Sequence, residues 1–218
     1  MTETSVKTRR AQTSGEELAN AISHGLGFLL AVVSLPILVW YTAEHGRILN
    51  LVAVVVFSIT MMALYLVSTL YHAVPAGRVK QWLNRLDHAA IYVFIAGSYT
   101  PFLLGVLRGG WGWSLLGVVW GLATVGVAAK LLNRLINPIW STGLYVALGW
   151  LFLVALGPLM QRMSNAGLAW LVAGGVAYTA GAVVFLFDTR LRFAHFIWHI
   201  FVLSGSTCHF FAVLWHAQ

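Results

Sequence analysis

The sequence predicts an all-α integral membrane protein: a bundle of seven transmembrane helices with a cytoplasmic N-terminus and an outside C-terminus. Three observations predict it. The chain is 60% hydrophobic and only 9% charged, against about 25% charged in a soluble domain. Cut at every Asp, Glu, Lys and Arg, it leaves seven uninterrupted pieces of 20 residues or more, at 18–43, 48–77, 88–107, 109–129, 135–161, 163–187 and 193–218. A membrane helix needs about 20 apolar residues, and these runs lack the alternation that a transmembrane barrel strand shows. The basic residues are also lopsided. Lys7, Arg9, Arg10, Arg78, Lys80, Arg85, Lys130, Arg134, Arg190 and Arg192 fall on one side, and only Arg47, Arg108 and Arg162 on the other. Lys and Arg stay in cytoplasmic loops, which places the N-terminus inside. The net charge of +7 is therefore topology, and nucleic-acid binding is not expected.

Each helix has its own signals. Residues 1–15 form a short cytoplasmic tail, and 16–218 a single transmembrane domain. Ser14 to Glu17 fits a capping box, which leads into the first span at 20–41. The second, at 50–72, ends in Ser68-Thr-Leu-Tyr-His72. The third, at 87–107, opens on Asp87 and His88. The fourth, at 111–131, carries Gly117-xxx-Gly121, read as helix packing. The fifth is placed at 138–157 and the sixth at 168–187. The seventh, at 194–215, opens on His195-Phe-Ile-Trp-His199. Trp40, Trp111, Trp113, Trp140 and Trp170 lie near span ends, as an interfacial belt would. Cys208 is the single cysteine, so no intrachain disulfide forms.

Ionisable groups inside a bilayer are costly and mark function by default. Ser68 and His72 share a helix face, as do His195 and His199. At about 100° per residue His209 falls near the same stripe. The topology brings the end of the second helix and the starts of the third and seventh to one depth. His72, Asp87, His195 and His199 are then level, with His24 from the first helix. Three imidazoles and a nearby carboxylate suit Zn²⁺ with one position open to water. Hydrogen-bonded core histidines, or a proton relay, are the alternative reading. Glu17, Asn20 and His24 form one face of the first helix, able to support the site. His45 and His216 sit at span ends.

These residues resemble a known family. Ser68-xxx-His72, Leu86-Asp87-His88 and His195-xxx-His199 are similar to the three motifs of the progestin and adiponectin receptors, the bacterial hemolysin III-like branch above all. Glu17-xx-Asn20, Ser23-His24-Gly25, Gly97-Ser98-Tyr99-Thr100-Pro101 and His209 also fit, so the likeness runs from residue 16 to about 215. The resemblance implies zinc held by His72, His195 and His199. It implies that Asp87 reaches the metal through water, with Ser68 close by, and that His24, Glu17, Asn20, His88 and His209 support them. It also implies a likeness to alkaline ceramidases and a role in membrane lipid homeostasis. Two features depart from the pattern. The proline expected before the HxxxH is missing, with Arg192 near its place, so the resemblance does not fix the start of the seventh helix. The long N-terminal region of the animal receptors is absent, and a protein hormone ligand is not expected.

The expected function is a zinc-dependent hydrolase of a lipid amide or ester in the bacterial inner membrane, with membrane lipid as substrate. The alternatives are a lipid-state sensor with structural zinc and a hemolysin-type lytic pore. No polar channel-lining stripe supports the pore. The sequence names no protein partner.

Overall fold

A computed structural model describes residues 10–135 and 137–217; the tail residues Lys7 and Arg9 lie outside them. The described chain is helical. In order come α1 (Ser14–His45), α2 (Ile48–Ala73), α3 (Arg78–Pro101) with a π-helical continuation (Phe102–Leu107), and α4 (Gly109–Leu131). Next are α5 (Pro138–Gly149), a 3₁₀ turn (Leu151–Ala155), α6 (Leu156–Arg162), α7 (Asn165–Phe185) and α8 (Ala194–His216). Grouped as continuous rods, these make seven helices long and apolar enough to cross a membrane. The third is central: 72% of its apolar window is buried, against 17% for the fifth and sixth. α1, α2, α3 and α4 pack in sequence, and α8 closes back onto α1 and α7. Among the described residues the fifth span packs mainly on the third span, including its π-helical end, and on α7.

Four sequence expectations are corrected. The capping box is formed by Thr13 and Glu16, one residue before the expected pair. Glu16 is free to reach back to the Thr13 N–H at 2.9 Å, whereas Glu17 is turned toward His72. α3 begins at Arg78, so Asp87 stands well inside it. Its first turns are amphipathic, with Val79 and Trp82 exposed and the Arg85 guanidinium lying over the Trp82 ring, as snorkelling side chains do at an interface. The fifth span, expected as one helix, breaks at the 3₁₀ turn ahead of Pro158. Proline has no N–H to give to residue 154 and its ring crowds that carbonyl. Pro101 likewise precedes the π-helical turn of the third span.

The fourth correction concerns Gly117 and Gly121. Both face outward, with nothing within 4 Å of an added Cβ. Gly126, on the other face of α4, does the packing: a Cβ there would lie 2.5 Å from the Tyr92 ring. Trp40, Trp111, Trp113 and Trp140 are exposed, as an interfacial belt requires. Trp170 instead packs on Phe211 and Trp215.

Candidate metal centre

The last turn of α2 and the first turns of α8 meet beneath α1. His72, His195 and His199 are all buried there. Their ring centroids form a near-equilateral triangle with sides of 4.9, 5.1 and 4.8 Å. One ring nitrogen from each lies within 4.8 Å of the others. An i, i+4 pair from one helix and a single ligand from a second reach one point because the two helix ends are level.

Hydrogen bonds fix which nitrogen faces inward. His72 Nδ1 is 2.7 Å from Glu17 Oε2. A carboxylate only accepts, so Nδ1 carries the proton. His195 Nδ1 faces Asp188 Oδ2 at 3.5 Å in the same sense. The Ser23 hydroxyl spends its one hydrogen on Asn20 O at 2.9 Å, so its oxygen accepts from His199 Nδ1 at 3.0 Å. Each ring is thereby held with Nδ1 protonated and Nε2 a lone pair. All three Nε2 atoms are buried with no hydrogen-bond partner among the described residues. Metal-binding histidines typically show this arrangement, one nitrogen anchored and the other presented. Three converging neutral imidazoles fit a Zn²⁺-class ion.

One face of α1 organises the whole centre. Glu17 holds His72, Asn20 Nδ2 lies 3.4 Å from the same ring nitrogen, and Ser23 holds His199. Glu16 fixes the start of α8, which sequence reasoning left open. Its Oε1 accepts from the Phe193 N–H at 2.8 Å. Phe193 has a φ of 58°, an unusual conformation for a bulky residue, and this bond holds it just ahead of His195. Arg10 grips both carboxylate oxygens of Glu16, at 2.6 and 2.7 Å. Lys80 secures Glu17 from the other side, with Nζ at 2.9 Å from Oε1 and near Tyr71 O and Val74 O. Arg10, Glu16, Ser23, Lys80 and Asp188 went unread as site residues in the sequence.

The other expected residues divide. Asp87 is buried with the Ser68 hydroxyl as its polar neighbour, and beyond each other Asp87 Oδ2 and Ser68 Oγ have no hydrogen-bond partner among the described residues. Asp87 is not in the close donor set of the three histidines. His24 stacks on His199, with ring centroids 3.4 Å apart and planes at 8°. His88 gives Nδ1 to Asn84 O and turns its ring toward Phe185. His209 lies elsewhere, ten positions beyond His199 and thus about 15 Å along α8. His45 bonds Tyr41 O and His216 bonds Ser164, both exposed.

A largely apolar cavity begins beside the centre: none of the three triad histidines lines it, but His24, which stacks on His199, does. His24, Asp87 and His88 line one end, and Leu107 and Leu159 the other. Its positions on the third span, Asp87 to Leu107, cover about 30 Å of helix, close to the hydrocarbon thickness of a bilayer.

The chain matches the family described as "Haemolysin-III related" over residues 12–210. Hemolysin-3 of Bacillus cereus is 44% identical over 211 residues, 96% of this chain and 95% of that protein. The Hemolysin-3 homolog of Bacillus subtilis is 43% identical over 206 residues, 94% of this chain and 95% of that one. The monocyte to macrophage differentiation factor of Homo sapiens is 29% identical over 215 residues, 94% and 86% of the two chains. No solved structure matches the chain. Seven apolar rods, a buried histidine triad and a match along nearly the whole sequence lead to one conclusion: the chain belongs to the haemolysin-III-related family, within the wider group of progestin and adiponectin receptors, and is a multi-pass bacterial membrane protein.

Proposed function

We propose that this protein is a zinc-dependent hydrolase of lipid amides or esters that serves membrane lipid homeostasis, with its metal end at the cytoplasmic side. One observation carries the reading. Three Nε2 nitrogens converge on one point, and beside them begins an apolar cavity lined by Asp87 and by His24, whose ring stacks on His199. When bound, zinc supplies Lewis acidity that polarises a carbonyl and brings the pKa of water toward about 7. His72, His195 and His199 hold it. The cavity takes the acyl chain and brings its carbonyl to Asp87 and Ser68. Asp87 accepts the proton of the attacking water as the new C–O bond forms. The Ser68 hydroxyl donates to the carbonyl oxygen as negative charge develops on it. The C–N or C–O bond then breaks, and the leaving amine or alcohol takes the proton back from Asp87. Among the described residues, His72, His195 and His199 would be the protein's only donors to the ion, with Asp87 outside that set, a donor set of the kind that catalytic zinc sites use.

Purified protein in detergent should hold about one zinc per chain and release fatty acid from a long-chain acyl amide or ester. Zinc bound at full stoichiometry with no turnover of either class would replace the enzyme reading with a lipid-state sensor braced by zinc. Leakage of dye from vesicles carrying the purified protein would support a lytic pore instead. A reporter fused in the loop around Lys80 should read as cytoplasmic, and one after Gln218 as external.

A further inference from the structure

The cavity has a second polar station far from the metal. His209 is 92% buried, given its 8% exposure, and lines the cavity beside Phe102 and Tyr178. Its Nε2 faces Leu171 O at 3.4 Å. A carbonyl only accepts, so Nε2 carries the proton and Nδ1 is a lone pair. That Nδ1 is buried with no partner among the described residues. The fold makes room for this ring at the cost of a side chain: a Cβ on Gly174 would stand 2.3 Å from His209 Cδ2.

Its polar neighbours are also acceptors. Ser206 gives its hydrogen to Val202 O, so its oxygen accepts from Tyr65 at 2.7 Å and from Tyr178 at 3.1 Å. The Tyr178 phenol has thus used its one hydrogen and retains lone pairs. Ser98, one turn before Phe102 on the third span and also lining the cavity, gives its hydrogen to Ile95 O. His209, Tyr178 and Ser98 all line the cavity, and with every polar hydrogen of the three already placed, His209 Nδ1, the Tyr178 oxygen and the Ser98 oxygen are acceptors only.

We infer that this station binds a hydroxyl carried partway along the lipid chain, so that the protein selects hydroxylated acyl chains. A hydroxyl donates to Nδ1, whereas a keto oxygen meets only other acceptors and a methylene leaves Nδ1 unpaired. The station lies about 15 Å beyond His199, which an extended chain with C–C bonds of about 1.5 Å spans in roughly a dozen carbons. The inference rests on the reading of the cavity as an acyl-chain site.

The test uses the full-length protein in detergent and three long-chain fatty amides displacing a fluorescent fatty amide. One chain is plain, one carries a hydroxyl at roughly the twelfth carbon and one a ketone at the same place. The hydroxylated amide should bind about tenfold more tightly than the plain one, as one buried hydrogen bond allows, and the keto amide no more tightly. H209F should abolish the preference and H209Q, which keeps an acceptor, should retain part of it. Equal binding of the plain and hydroxylated chains to the unaltered protein overturns the inference and gives His209 Nδ1 to an ordered water. Full preference in H209F overturns it also. If no chain binds, the acyl-chain reading of the cavity fails and takes this inference with it.

Discussion

The two ends of the bundle use their polar groups differently. At the metal end, side chains orient side chains: Glu17 holds His72 and Ser23 holds His199 across helices, and Arg10, just ahead of α1, holds Glu16. Among the described residues, the buried atoms there without a hydrogen bond include the three Nε2 nitrogens, which converge, and Asp87 Oδ2, Ser68 Oγ, Asn20 Oδ1 and both nitrogens of His24. At the opposite end, the Ser164–His216 pair aside, side chains bond to backbone carbonyls at helix ends: Asn50 to Ala217, Arg108 to Gly105 and Arg162 to Leu107. Carbonyls in the last turn of a helix have no intrahelical partner, and in hydrocarbon no water replaces one. The opposite end thus closes the helices, whereas the metal end uses its hydrogen bonds to orient rings toward a shared point. Polar burial alone does not mark a functional site; the convergence of unpartnered atoms does.

If that distinction holds, substitutions at the two ends separate by their effect on metal and turnover. The largest effect is expected from His195→Ala combined with His199→Ala, which removes two of three ligands and should take zinc from about one per chain to near zero. Full zinc in the double mutant would mean that the triad is not the site. Asp87→Asn comes next. It leaves the ligands intact, so metal analysis should find the zinc retained. Hydrolysis should fall by about 10²–10⁴, the usual contribution of a positioned base. Loss of the zinc itself would instead make Asp87 a direct ligand. Glu17→Gln is milder. An amide presents its oxygen or its nitrogen to His72 Nδ1 and lacks the charge that steadies the ring, so zinc affinity should drop about 10–100-fold in a competition titration with a chelator.

The legible and the illegible residues differ in kind. The spans and the histidine triad could be read because a charge or imidazole in an apolar run is conspicuous. Once the spans were counted, topology made His72 and His195 level. Glu16, Arg10 and Lys80 lie in polar stretches where a charged residue carries no signal. Glu16 also acts on a backbone N–H, that of Phe193, which has no sequence signature. Gly117 and Gly121 show the limit from another side. Periodicity says that they share a face, but only packing says that the face is outward. Pro158 was visible, yet hydropathy carried the fifth span through the turn that it breaks.

The smallest effect is expected at the opposite end, from Asn50→Ala. Asn50 is fully buried, and its Nδ2 donates to Ala217 O at 3.0 Å. Gly105 keeps the space for this contact, since a Cβ there would lie 2.1 Å from the same carbonyl. Removing the amide leaves Ala217 O without that donor, a loss of about 1 kcal/mol. Asn50 Oδ1 has no partner among the described residues, so the substitution also removes an acceptor unpaired there and part of the loss is offset. A fall in melting temperature of about 2–4 °C or less should follow, read in detergent with zinc bound. Zinc affinity and the rate of hydrolysis should not change, because no hydrogen bond of Asn50 reaches the triad. The informative failure is a loss of zinc affinity comparable to that of Glu17→Gln. Asn50 and His72 lie near opposite ends of α2, 22 positions apart, or about 33 Å. Coupling over that distance would require α2 to move as a rigid rod between the ends. The closing contacts around Ala217 would then belong to the metal centre rather than only to the fold.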